Sequence, residues 1–139
     1  MINNINWNNE GIGSTSIQRD IGYFGYSIRM KPVEFLALAD KASFYKSADS
    51  LKTLMENGEE IAPCFLNVDW INNCWKVIGH EGRNRAYAAS QLFPTNNIPI
   101  HIIPIGLRRR DVTEEMMNSK IISQDGSETK FTFKPRIDL

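Results

Sequence analysis

From Tyr23 onward the apolar residues Phe24, Tyr26, Ile28 and Met30 fall on every second position, the period of a strand with one buried face. At Pro32 the period changes: Val33, Leu36 and Ala37 recur at helical spacing, and a proline is tolerated in a first turn because its missing N–H would lack a partner there anyway. A second helix is expected after Ser47 as N-cap, with Leu51, Leu54 and Met55 as its buried stripe and Gly58 after Asn57 as its stop. Beyond Pro63, the residues Leu66, Val68 and Trp70 alternate with Phe65, Asn67 and Asp69. Ile71-Asn72-Asn73 reads as a hairpin turn and Cys74 to Ile78 as the returning strand. Ala86, Ala89 and Phe93 mark another helix, and Ile98 to Ile105 is apolar on both faces apart from His101, as in a strand buried within a sheet. Pro99 and Pro104 argue that this strand is short or irregular. A helix from about Val112 to Ile121, capped by Thr113 or Asp111, and an edge strand over Thr129 to Phe133 complete the pattern. Residues 1–20, rich in Asn, Gly and Ser, read as an irregular N-terminal arm, and residues 21–139 as one α+β domain with a mixed sheet flanked by helices.

Composition narrows the setting. A chain of 139 residues with 42% hydrophobic content suits one domain with a real core. Lys+Arg 16 against Asp+Glu 16 leaves no net charge, so any contact with a polyanion must be local. Arg108-Arg109-Arg110 is such a local patch, a candidate contact for a nucleic-acid backbone or for distant phosphates of a nucleotide. Asp111, Glu114 and Glu115 offset it, which also fits a solvated helix start. Cys64 and Cys74 lack neighbours at zinc-finger spacing, so no metal framework is expected and a disulfide is unproven. The first residues carry no signal-peptide pattern and no run approaches a membrane span, which places the chain in the cytoplasm without a membrane partner.

The chemistry concentrates in Gly79-His80-Glu81-Gly82-Arg83-Asn84-Arg85, between the end of a strand at Val77-Ile78 and the helix that begins near Ala86. The first N–H groups of a helix lack intrahelical partners and its dipole is positive there, so such a junction favours anions. Gly79 and Gly82 let a ligand approach the main chain, Arg83 and Arg85 offer charge-assisted contacts to phosphate, and Asn84 is a further donor. Glu81 is the candidate for holding Mg²⁺ or activating an attacking hydroxyl, and an ion pair with Arg83 or Arg85 is the simpler alternative. His80 is a candidate acid or base, or a turn residue, and His101 reads as a core histidine. Phe65, Trp70 and Trp75 read as core, with base stacking as the alternative for any left exposed.

Val77-Ile78-Gly79-His80-Glu81-Gly82-Arg83-Asn84-Arg85-Ala86, followed by Ile98-Pro99-Ile100, resembles the core of the ParB-like and sulfiredoxin-like superfamily, in which a strand leads into Gly-Glu-Arg-Arg-x-Arg-Ala, a helix and an Ile-Pro-Val strand. Glu81, Arg83, Arg85 and Ala86 fall on matching positions, and the likeness covers roughly residues 47–105, in the manner of small phage and bacterial members. It implies a single ParB/sulfiredoxin-like domain with a phosphate cradle at Gly79–Arg85, taking ATP or CTP with Mg²⁺. Chromosome partition would need further domains for which this chain is too short. The catalytic cysteine of sulfiredoxins would fall near Arg83, while Cys64 and Cys74 lie upstream, so sulfinic acid reduction is not expected. Free-serine kinases of the same superfamily read Asp-Gly-His-His-Arg, which Glu81-Gly82-Arg83-Asn84-Arg85 matches in the acid, the glycine and the final arginine.

Three functions follow as expectations: a nucleotide or other phosphate ligand bound at the Gly79–Arg85 turn, with or without hydrolysis or phosphate transfer; a nuclease or DNA-binding module; and a non-enzymatic phage protein that binds a host factor. Oligomeric state is left open.

Overall fold

In a computed structural model describing residues 2–8, 25–40, 44–127, 129 and 131–132, two consecutive asparagines fold the centre of the chain back on itself. Asn72 and Asn73 both take positive φ, 52° and 63°, the left-handed pair that matches the twist of a two-residue hairpin and that asparagine tolerates. They join β2 (Cys64–Ile71) to β3 (Cys74–Glu81), and the Trp70 and Trp75 rings meet edge to face beside the turn, 4.9 Å apart. Trp75 is fully buried and its Nε1 donates to the Met116 carbonyl at 2.7 Å, whereas Trp70 and Phe65 are half-buried.

Around this hairpin stand β1 (Tyr26–Met30), β4 (Ile98–Pro104) and β5 (Ile121–Ile122), giving one five-stranded sheet in the order β1-β4-β2-β3-β5. β1 runs antiparallel to β4 and β3 antiparallel to β2, while β4 with β2 and β5 with β3 are parallel. Every residue of β4 is buried, as its unbroken apolar run requires. Its prolines do not break it. Pro99 and Pro104 stand at its second and last positions, opposite Arg29 and Val68.

Helices α1 (Pro32–Leu38), α2 (Ala48–Glu56) and α3 (Arg83–Leu92) form a second layer, with α3 packed against both others and against β2. Ala86, Ala88 and Ala89 are fully buried, and such small side chains let α3 come close to its neighbours. The chain is thus an α+β fold with a mixed sheet. Ile5 and Trp7 join its core, and Trp7 bridges to Ile61. Residues 1 and 9–20 of the expected N-terminal arm, together with Tyr23 and Phe24 of the first strand, lie outside the described residues. No helix among the described residues is long and apolar enough to cross a membrane.

Several local expectations are corrected. The stripe of α2 is Ala48 and Met55 with Leu51 half-buried, and Leu54 is exposed, because α2 turns a narrow face to α3. β3 runs three residues past Ile78 to Glu81, and Ile78 itself is a bulge: Val77 pairs with Val68 but Gly79 pairs with Asn67. The helix expected over Val112 to Ile121 is a single turn, α4 (Glu114–Met117), capped by Thr113 Oγ1 on the Met116 N–H at 3.2 Å. It stops because the β-branched Ile121 and Ile122 pair with Trp75 and Lys76 as β5. Of Thr129 to Phe133, residues 129, 131 and 132 are described and none is in a strand, though the Phe131 carbonyl accepts the Ile121 N–H.

Candidate functional site

β3 ends at Glu81, and Gly82 turns the chain into α3 with φ of +110°, where any side chain is strained. Space forbids one as well. A Cβ on Gly82 would lie 2.8 Å from Cys64 Sγ and 2.9 Å from Arg85 Nη2. The turn therefore sits directly on the start of β2, with the Cys64 thiol donating to the Gly82 carbonyl at 3.5 Å. Burial pushes the Cys64 thiol up to about 11, with the Arg85 charge opposing only in part, so it stays protonated near neutrality and is no nucleophile.

Beside this turn is a cavity of about 210 Å³ lined by Ser47, Leu51, Glu81, Gly82, Arg83, Asn84 and Arg85. Two helices begin at it. Ser47 is the N-cap of the nine-residue α2 and Gly82 that of the ten-residue α3, and neither residue satisfies a first-turn N–H with its side chain. Two positive dipole ends thus meet at one place, with the Ala48 N–H of α2 already taken by the Tyr45 carbonyl.

Arg85 is the most constrained of the charged side chains there, with 18% of its side chain exposed. Its Nη2 donates to the Pro63 carbonyl at 3.0 Å, its Nη1 lies 3.8 Å from Glu81 Oε1, and its Nε is buried with no acceptor among the described residues. Glu81, with 68% of its side chain exposed, is held among the described residues by that long contact alone, so its carboxylate stays available.

Arg83 and Asn84 line the cavity but are already engaged. Arg83 Nη1 donates to the Asp40 carbonyl at 2.7 Å, Asn84 Oδ1 accepts the Ser47 N–H at 3.4 Å, and the Tyr87 ring stacks on Tyr45 with centroids 4.2 Å apart. The first turns of α3 thus grip the connection between α1 and α2. Gly79 and His80 stand off the cavity lining. Gly79 lies against Asn67, and His80 Nδ1 is 2.7 Å from Gln124 Oε1. After the bulge His80 shares the face of Leu66 and Glu81 that of Phe65, so the two candidate catalytic groups point to opposite sides of the sheet.

Arg108, Arg109 and Arg110 are exposed at the far end of the sheet. Pro104 pairs with Val68 and the Ile105 N–H donates to the Val68 carbonyl, whereas Glu81 pairs with Phe65 at the start of β2. Asp111 accepts the Arg108 N–H at 2.9 Å, and the Arg109 guanidinium lies 5.6 Å above the Tyr26 ring. His101 is fully buried beside the Phe65 ring at 5.7 Å, and burial brings its imidazole down to about 4, so it is neutral.

Ser47 and Leu51 of the cavity lining, and the supporting Pro63 and Cys64, lie outside the sequence motif. Ser47 carries a local signal as an N-cap, but its meeting with Gly82 is tertiary. No group of three His, Cys, Asp or Glu residues among the described residues is placed to hold a metal ion. Mg²⁺ bound mainly by phosphate oxygens needs only one or two carboxylates, and Glu81 is the lining residue that supplies one. No protein-family description, curated protein or solved structure matches the chain.

Proposed function

We propose that this chain is a small ParB-like domain that binds a nucleotide or related phosphate ligand in the cavity between α2 and α3. The observation that carries the reading is the meeting of two helix N-termini, at Ser47 and Gly82, beside the largely buried Arg85. A dianionic phosphate there would face two partial positive charges and one full one. Arg83 and Asn84 shape the wall more than they reach the ligand, because each already spends a polar group on the α1–α2 connection.

Phosphoryl transfer depends on positioning and charge neutralisation, and Glu81 is the group for both, as a Mg²⁺ ligand or by orienting an attacking hydroxyl. Sulfinic acid chemistry finds no support, since Cys64 is sealed beneath Gly82. A nucleic-acid backbone held by Arg108 to Arg110 would lie at the other end of the sheet from Glu81. Two unpaired cysteines and a nucleotide ligand suit a cytoplasmic setting.

Calorimetric titration with ATP and CTP in the presence of Mg²⁺ tests the proposal. Saturable binding that Arg85→Ala weakens at least ten-fold is expected. Absence of saturation at millimolar nucleotide, or equal binding by Arg85→Ala, would overturn it.

A further inference from the structure

The two helices that begin together at the cavity beside Gly82 also end together. Glu56, the last residue of α2, and Leu92 and Phe93, the last residue and C-cap of α3, line a second cavity of about 480 Å³ together with Ile2. That volume falls within the roughly 300–1,000 Å³ of sites that take small organic molecules. Ile2, Leu92 and Phe93 are each half-buried, so the wall offers hydrocarbon and an aromatic ring to the body of a ligand.

The sign of the charge is the reverse of that at Gly82. A helix dipole is negative at its C-terminus, where the last carbonyls lack intrahelical donors, and neither α2 nor α3 carries a basic residue in its last turn. The Ser90 carbonyl would take its helical bond from the N–H of residue 94, and Pro94 has none. Glu56 adds a full negative charge. Its carboxylate is exposed and makes no hydrogen bond or ion pair among the described residues, and the one basic residue of α2, Lys52, holds Asp49 at 3.3 Å instead. Glu59 and Glu60, exposed just beyond α2, deepen the local negative potential.

We infer that the cavity between the C-termini of α2 and α3 binds a small primary amine, its ammonium held by Glu56 and the helix ends and its apolar body laid against Leu92, Phe93 and Ile2. A primary ammonium brings three N–H donors to carboxylate and carbonyl acceptors, where an alcohol brings one donor and no charge. The apolar body is needed as well, because one exposed carboxylate holds an ion only weakly in water. This cavity shares its helices with the one beside Gly82 but none of its lining residues, so the amine site stands or falls independently of the function proposed above.

Titration of the isotopically labelled full chain with phenethylamine, followed by NMR, tests the assignment, with phenethyl alcohol as the probe lacking the charge and methylamine as the probe lacking the body. Phenethylamine is expected to saturate at millimolar concentration with shifts centred on Ile2, Glu56, Leu92 and Phe93, and to bind about ten-fold more tightly than either reference compound. Glu56→Gln keeps the shape of an exposed side chain, so its spectrum away from the cavity should match that of the unaltered chain. It should weaken phenethylamine about three-fold and leave phenethyl alcohol unchanged. Failure to saturate, or shifts centred elsewhere, would overturn the inference. So would equal binding of either reference compound, or phenethylamine binding that Glu56→Gln leaves unaltered.

Discussion

Two arginine-bearing turns stand at opposite ends of the same sheet, and their surroundings set them apart. At Gly82 the turn is pressed onto β2 and opens into a ten-residue helix, with Arg85 largely buried among a carbonyl, a carboxylate and a thiol. After Gly106 the turn projects into solvent, and Arg108 caps a short 3-10 turn, Arg109–Asp111, whose acid, Asp111, accepts the Arg108 N–H. Three consecutive arginines carry the larger local charge, yet the single Arg85 has the geometry of a binding group. A charge recognises a ligand when its position is fixed and water is partly excluded; an exposed cluster mainly raises the local potential.

Glycine substitution puts the sharpest strain on this contrast. Gly82→Ala is expected to cost about 3 to 4 kcal/mol in urea unfolding, from backbone strain together with the clash on the buried Cys64. Gly106→Ala carries strain alone, since φ is +78° but nothing lies within 4 Å of the added atom, and should cost about 1 kcal/mol. Equal losses would show that the two turns are packed alike.

The strand between them supplies the next test. Folding lowers the His101 pKa from 6.5 to about 4, so between those values the unfolded chain binds the extra proton and stability rises with pH. Acidification from pH 7 to 4 should therefore remove about 3 kcal/mol through this residue. His101→Leu should flatten that slope, and an unchanged slope would mean that other groups drive the acid response.

Ligand affinity divides the turns directly. Arg85→Ala should weaken nucleotide binding at least ten-fold, about 1.4 kcal/mol, whereas Arg108→Ala with Arg110→Ala should leave it unchanged. A comparable loss from the second pair would place both ends of the sheet in one electrostatic site. The smallest effect is expected for Arg109→Ala, about 0.5 to 1 kcal/mol of stability through its contact with Tyr26 and none on ligand affinity.

What the sequence makes legible follows the range of the physics. The hairpin could be read because alternation and an Asn-Asn turn are local signals, and β4 because a strand covered on both faces needs apolar residues throughout. The strand-to-helix turn at Gly82 was equally visible. The recess beside it was not, since Ser47 and Leu51 arrive from another helix and Arg85 is fixed by the Pro63 carbonyl, a group every residue possesses. The length of α4 escaped for a similar reason: Glu114 to Met117 favour a helix, but pairing with β3 claims Ile121 and Ile122. Leu54, apolar and in register with its helix, is exposed because α2 has no neighbour on that side among the described residues.

Ile78 gives the motif its parity. The ladder between β2 and β3 holds one residue more on the β3 side than it needs, and the surplus falls between Val77 and Gly79. Excising Ile78 would leave each neighbouring pair with its present partner, from Val68 with Val77 to Phe65 with Glu81. Straightening the strand with Ile78 kept would slide the register by one, setting Glu81 against Cys64 on the core side and His80 against Phe65 on the other. Ile78 is thus a spacer, the one position in β3 where length can change without altering which way the acid points.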